Sequence, residues 1–244
     1  MSHLTACKLT ATLPWNAMDI EHARFNMIEQ QIRPWDVLDA EVLSLLAAIR
    51  REDFLPPAVR SMAFVDTEVV LPTSTGPAQS MLAPKVEARL LQELGVGKHE
   101  RVLEVGTGSG FMAALLGHRA QQVLSLEIDA DLAAFAAANL RLAGASNVTV
   151  RQADGCKGSA ADGPFDVIVL SGSVPQVPQV MLDQLKPGGR LVAIVGQLPI
   201  MQALLYTRSP AGDAGERSAI SSAQLFDTVA PRLRGFDEPS RFHF

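Results

Sequence analysis

Three glycines stand at alternate positions in "RVLEVGTGSGF", residues 101–111, directly after an apolar run. Bare backbone lets a ligand approach where any Cβ would collide. Gly106, Gly108 and Gly110 therefore mark a turn at which a cofactor can meet main chain. Two carboxylates follow at fitting distances. Glu127 closes "LSLEID" at 127 − 106 = 21 positions after the first glycine, a spacing that lets it accept both hydroxyls of a ribose. Asp154 ends "VTVRQADG", where it can take the amino group of an adenine. Together they read as a site for a cofactor built on a nucleoside.

Two cofactor classes share this layout. A dinucleotide site prefers G-x-G-x-x-G, which turns a helix N-terminus toward pyrophosphate, and here the sixth position is Phe111. The spelling G-x-G-x-G, with Glu104 two residues ahead of it, suits S-adenosylmethionine better. That molecule has no phosphate but carries a cationic amino-acid tail, which Glu104 can help hold. The expected cofactor-binding residues are Glu104, Val105, Gly106, Thr107, Gly108, Ser109, Gly110, Glu127, Ile128, Asp154, Gly155 and Ser171. Ser171 and Ser173 in "SGSVP" end a strand on the cofactor edge, where they line an acceptor pocket or, for Ser173, cap the next helix. Phe111 reads as core or adenosine-facing packing. No G-x-S-x-G elbow occurs, and the five histidines lie scattered without metal-ligand spacing, so no metal is expected.

These residues need elements to position them. From residue 101 the chain alternates strand and helix: "RVLEVG", "FMAALLGHRA", "QVLSLEID", "ADLAAFAAANLRLAG", "VTVRQADG", "FDVIVLSG", "VPQVMLDQL", the turn "KPGG" and "RLVAIVG". Strands that are near-continuous apolar runs, alternating with helices, imply βαβ units in a parallel sheet covered on both faces. Before them, Asp19 is expected to cap a helix that Pro34 stops, and Asp39 a second one. "TEVVLP" reads as a short strand and "TSTGPAQSMLAP" as a loop. A helix begins at Pro84 and closes at Gly95. After Gly196, "MQALLYTRS" and "AQLFDTVAPRL" read as two strands joined by the polar loop "PAGDAGERSAI", forming an antiparallel edge on the same sheet. The expected organisation is an extension over residues 1–18 and one α/β domain over 19–244. Within it, 19–98 form a helical N-terminal layer with the substrate loop, 99–196 the cofactor-binding core and 197–244 the C-terminal strands.

Composition narrows the partners. The 244 residues are 48% hydrophobic and 19% charged, enough to bury a full core. A net charge of -5 without any block of Lys and Arg argues against nucleic acid. No apolar stretch reaches the ~18 residues that span a bilayer. The opening residues lack the pattern of a signal peptide. Two cysteines, Cys7 and Cys156, point to a reducing compartment, and the expected location is the cytoplasm.

The sequence resembles the protein-L-isoaspartate O-methyltransferase family. The resemblance runs through "MIEQQIR", "REDFLPPAVRSMAFVDTEVVLP", "APKVEARLLQELGVGKHERVLEVGTGSGF", "PFDVIVLSGSVPQVPQVMLDQLKPGGRLVAIVG" and "LFDTVAPRLRGF", about residues 19 to 236. It implies a Rossmann-like class I methyltransferase fold with a mostly parallel twisted sheet. It implies S-adenosylmethionine as cofactor and S-adenosylhomocysteine as product. The implied acceptor is a protein or peptide carrying isoaspartyl residues, whose abnormal carboxylates are methylated. A carboxylate is ionised at neutral pH and needs no general base, which fits the missing nucleophile motif.

One stretch departs from the family. Its loop reads Gly-Gln-Thr-Ile-Ser-Gln-Pro, whereas this chain has "AQSMLAP", residues 78–84. Gln79 is kept and Ser80 replaces the threonine, but the serine that orients the substrate carboxylate falls on Leu82. A buried carboxylate left one donor short loses about 1–3 kcal/mol. Ser80, or one of Thr73, Ser74 and Thr75, supplies the hydroxyl from a shifted loop. Otherwise the site serves another, unknown acceptor, or binds cofactor without turnover. Asp66 matches a family acidic position near this loop, so Ser80 and Asp66 are the catalytic candidates.

Overall fold

Strand and helix periods resolve into one seven-stranded sheet in a computed structural model that describes residues 17–73, 77–210 and 219–236. Its strands are β3 (Arg101–Val105), β4 (Gln122–Glu127), β5 (Val148–Gln152), β6 (Phe165–Val174), β7 (Leu185–Gln197), β8 (Ile200–Arg208) and β9 (Ile220–Asp227). They lie in the order β5-β4-β3-β6-β7-β8-β9. The first five run parallel, and β8 and β9 add the expected antiparallel edge. The order reverses at β3, with β4 on one side and β6 on the other. Sheets of this kind bind ligands in the crevice beyond the carboxyl ends of the strands at that switch point.

Alternation along β3 sends its side chains to two cores. Val102 joins a large cluster on the face covered by the helical layer, while Leu103 and Val105 join a smaller one with Leu126, Leu170, Leu233 and Phe236. The large cluster takes the buried stripes of α2 (Ala40–Ala48), α3 (Pro84–Leu94), α4 (Phe111–Arg119) and α5 (Ala130–Leu142). Local chemistry sets several boundaries. Asp39 accepts from the backbone N–H groups of Glu41 and Val42 at the start of α2, as expected. Pro84 opens α3, and Gly95 ends it in the left-handed region at φ 52°.

Other expectations are corrected. The first helix, α1 (Ala17–Met27), begins before Asp19, which sits in its first turn instead of capping it. The helix then widens into a π-turn over Ile28–Ile32 and tightens into a 3-10 turn over Arg33–Trp35, where Pro34 brings no N–H to continue the ladder. The segment read as a loop contains a strand, β2 (Gln79–Met81), paired antiparallel with β1 (Val69–Leu71). The helix α6 (Gln179–Leu182) is a single turn, and "KPGG" is an irregularity inside β7 with Gly188 at φ 79°. The last strand stops at Asp227, so Ala230–Leu233 does not extend it. Residues 1–16, Ser74, Thr75 and most of the "PAGDAGERSAI" loop lie outside the described residues.

Candidate active site

Beyond β3 the chain turns through three left-handed glycines, Gly106 (φ 91°), Gly108 (φ 54°) and Gly110 (φ 87°). Side chains rarely adopt this backbone, so glycine is required three times in five residues. The turn is tied down on every side. Gly106 N–H donates to Leu126 O at 2.8 Å and Gly110 N–H to Thr107 O at 2.8 Å. Asn139 of α5 donates to Ser109 O at 2.9 Å.

The turn floors an open crevice at the carboxyl ends of the central strands. Its lining comes from six places in the chain. Val105, Gly106 and Gly108 form the floor, with Leu126, Glu127, Ile128 and Leu132 on one side. Gly155 follows β5 and Ser171 lies in β6, Gln79 and Ser80 come from β2, and Leu233 and Arg234 from the C-terminal stretch. Seven expected residues thus meet around one opening: Val105, Gly106, Gly108, Glu127, Ile128, Gly155 and Ser171. Ser80 joins them.

Glu127 is nearly buried, and its two oxygens accept from Gly108 N–H at 2.9 Å and Asp129 N–H at 3.0 Å. Each oxygen keeps a second lone pair, which a ribose hydroxyl can use. Asp129 caps α5 by accepting from the N–H groups of Asp131 and Leu132. Its other oxygen meets Arg234 at 3.2 Å.

The remaining expected residues lie elsewhere. Glu104 does not line the crevice but is fully buried beneath it, accepting from Ser125 Oγ at 2.6 Å and Ser171 Oγ at 2.7 Å. Burial, with the carboxylates of Glu87 and Glu127 nearby, pushes its carboxyl up to about 8. Through Ser171 it is one hydrogen bond away from the crevice wall. Thr107 and Ser109 are buried scaffold, and Thr107 Oγ1 lies 2.6 Å from Ser125 Oγ. Gly110 begins α4 and packs on Ala136 and Leu140. Asp154 is exposed just past β5, its Oδ1 accepting from Cys156 N–H at 3.0 Å. Gly235 passes so close that a Cβ there would come within 2.5 Å of that oxygen.

Asp66 sits apart, paired with Lys85 at 2.6 Å. Ser173 neither lines the crevice nor caps a helix; its hydroxyl donates to Ala230 O at 2.9 Å. Phe111 packs edge-on against Phe54 with centroids 5.4 Å apart, as core. Leu82 is buried in the large cluster, and its carbonyl accepts from Arg51 at 2.7 Å. Arg51 in turn forms a buried ion pair with Glu87.

Sequence reasoning missed the C-terminal stretch. Ser173 N–H donates to Pro231 O at 2.7 Å and Leu233 N–H to Ser173 O at 2.9 Å, which lays Leu233 across the glycine turn. A Cβ on Gly106 would come within 2.6 Å of Leu233. Pro231, which cannot donate to a ladder, argued only against a strand running through this stretch.

Known proteins share this architecture. The family model described as Protein-L-isoaspartate(D-aspartate) O-methyltransferase matches residues 22–220. The protein-L-isoaspartate O-methyltransferase of Koribacter versatilis (strain Ellin345) is 39% identical over 189 residues, 78% of this chain and 83% of that protein. Protein-L-isoaspartate O-methyltransferase 1 of Syntrophobacter fumaroxidans (strain DSM 10017 / MPOB) is 35% identical over 195 residues, 80% of this chain and 89% of that one. A solved protein-L-isoaspartate O-methyltransferase superposes with a TM-score of 0.72 at 25% identity, covering 87% of this chain and 66% of that chain. A Plasmodium falciparum structure assigned to the same activity, in complex with S-adenosyl-L-homocysteine, superposes with a TM-score of 0.64 at 20% identity, covering 88% and 97%.

Proposed function

The chain belongs to the protein-L-isoaspartate(D-aspartate) O-methyltransferase family, and from that we infer that it is an S-adenosylmethionine-dependent carboxyl methyltransferase acting on isoaspartyl residues of damaged proteins. The observation that carries the reading is the crevice itself. A glycine turn of three left-handed residues faces a carboxylate whose backbone partners leave lone pairs free for a ribose. The bare floor of Gly106 and Gly108 lets a nucleoside approach the backbone.

S-adenosylmethionine supplies an electrophilic sulfonium methyl when bound. The chain's own residues bind, orient and exclude water. In this reading Glu127 takes the ribose hydroxyls, Ile128 and Leu132 pack along the adenosine, and Gly106 and Gly108 allow close approach. Leu233 and Arg234 wall the crevice beside the glycine turn. The acceptor enters beside Ser80 and Ser171. An isoaspartyl carboxylate arrives ionised, so the protein need supply alignment and no proton abstraction.

Leu82 bears on the acceptor end. Its buried side chain offers no hydroxyl, and the nearby polar groups on the wall are Gln79, Ser80 and Ser171. The absence of a disulfide-like cysteine set, with only Cys7 and Cys156 in the chain, supports a cytoplasmic location. No helix among the described residues is long and apolar enough to cross a membrane.

Methyl transfer to an isoaspartyl peptide, measured beside its normal aspartyl twin, tests the function. Labelling of the isoaspartyl peptide alone is expected. Equal labelling of both, or of neither, contradicts it.

A further inference from the structure

The C-terminal stretch touches the ends of four strands in turn. On β6, Ser173 N–H donates to Pro231 O at 2.7 Å and Leu233 N–H to Ser173 O at 2.9 Å, while the buried Ser173 hydroxyl donates to Ala230 O. Beyond β3, Leu233 packs on Gly106, where a Cβ would come within 2.6 Å of it. Arg234 then reaches Asp129, just past β4, with Nη2 3.2 Å from Oδ2. Gly235 passes the carboxylate of Asp154 beyond β5 too closely to carry a side chain. Because the strands lie in the order β5-β4-β3-β6, residues 231–235 form a strap along the carboxyl edge of the sheet, across the switch point.

The two ends of the strap are held unequally. The β6 end hangs on main-chain hydrogen bonds among buried residues. The far end is gripped by one ion pair, whose arginine keeps 23% of its side chain exposed while Asp129 keeps 2%. Asp129 is fixed in place. Its N–H donates to Glu127, and its Oδ1 accepts from the N–H groups of Asp131 and Leu132. Arg234 Nε has no hydrogen-bond partner, so the guanidinium meets the carboxylate through a single nitrogen and not as a fork. Such a grip is the weaker of the two anchors.

Arg234 is also the one basic side chain lining the crevice among the described residues. Its partner Asp129 follows Glu127 and Ile128, the wall assigned above to the adenosine. We propose that Arg234 is a positioning residue for the cofactor: by clasping Asp129 it holds the strap along the adenosine side of the crevice, and the cofactor leaves when that ion pair parts. The proposal rests on the cofactor assigned above and is independent of the identity of the acceptor.

S-adenosylhomocysteine is the probe, and its dissociation is timed by stopped flow from the full chain. Arg234→Met is expected to release it about fivefold faster than wild type, the upper range for a partly exposed ion pair. Arg234→Lys, which keeps the charge, restores most of the slow rate. Asp129→Asn retains an oxygen to cap α5 and should match Arg234→Met, and the double variant should release no faster than either. Raising salt from about 0.05 to 0.5 M should speed release from wild type and leave Arg234→Met unchanged. Hydrogen exchange gives a readout without ligand: the Gly235 amide should exchange faster in Arg234→Met, while those of Ser173 and Leu233 keep their protection.

A purely structural role would lower the urea midpoint of Arg234→Met and leave its release rate at the wild-type value, and that result overturns the proposal. An equal salt response in wild type and Arg234→Met overturns it too. Failure of wild type to bind S-adenosylhomocysteine overturns the cofactor assignment and the proposal with it. Release that depends on Arg234, in a protein that labels no isoaspartyl peptide, supports the proposal and overturns the acceptor reading alone.

Discussion

The carboxylate of Glu127 accepts the backbone N–H of Gly108 at 2.9 Å, so the acidic end of β4 and the middle glycine of the turn hold each other in place. Two features separated by nineteen residues in sequence therefore form one rigid cradle. Glu127→Ala removes both the ribose acceptor and the brace on the turn. Calorimetry with S-adenosylhomocysteine should show affinity lowered at least about tenfold, the loss expected for a hydrogen bond to a charged group.

Gly106→Ala tests the turn from the other side. The new methyl group meets Leu233 at 2.6 Å, but that contact is the flexible tip of a side chain and can yield. The backbone at φ 91° cannot. The substitution should cost about 1–3 kcal/mol in urea unfolding. Adding Leu233→Ala should fail to recover it. Recovery in the double variant would show that crowding, and not backbone conformation, requires the glycine.

Arg51 joins three parts of the core next to the site. It pairs with Glu87 of α3, donates to the carbonyl of Leu82 at 2.7 Å, and lies 5.1 Å from the ring centroid of Phe111, the first residue of α4. Burial pushes the Glu87 carboxyl up to about 7 even beside Arg51, so Arg51→Met leaves it to protonate without its partner and should destabilise by about 1–3 kcal/mol. The double variant Arg51→Met, Glu87→Leu should be less destabilised than Arg51→Met alone. Denaturant unfolding of the two proteins gives the comparison directly.

Glu104 also sets a pH dependence of stability. Its folded value, about 8, lies above the ordinary 4.5, so between those values the folded chain holds a proton that the unfolded chain has released. Stability contributed by this group is complete below about 4.5 and declines as the pH rises toward 8. Over that window the melting temperature of wild type should fall relative to that of Glu104→Gln. Parallel curves for the two proteins would contradict the raised value.

The parts legible in the sequence were those set by neighbours along the chain. Asp39 caps α2 and Pro84 and Gly95 bound α3 because each acts on backbone within a turn of itself. Apolar runs announced the parallel strands, and spacing alone brought the glycines and Glu127 to one place. What escaped was set by contacts across the fold. Gln79–Met81 pairs with Val69–Leu71 as a three-residue strand, too short to show alternation. Leu233 gains its role by packing on Gly106, and nothing near residue 233 signals that partner. Glu104 looked like a ligand-facing acid by its distance from the glycines. The pleat instead turns it under the crevice, toward Ser125 and Ser171.

The account depends most on which cofactor the crevice holds, and calorimetry of the wild-type protein with S-adenosylhomocysteine and, separately, with NAD decides it. The expected result is saturable one-to-one binding of S-adenosylhomocysteine and no heat from NAD. Binding of NAD with S-adenosylhomocysteine inert would contradict the account.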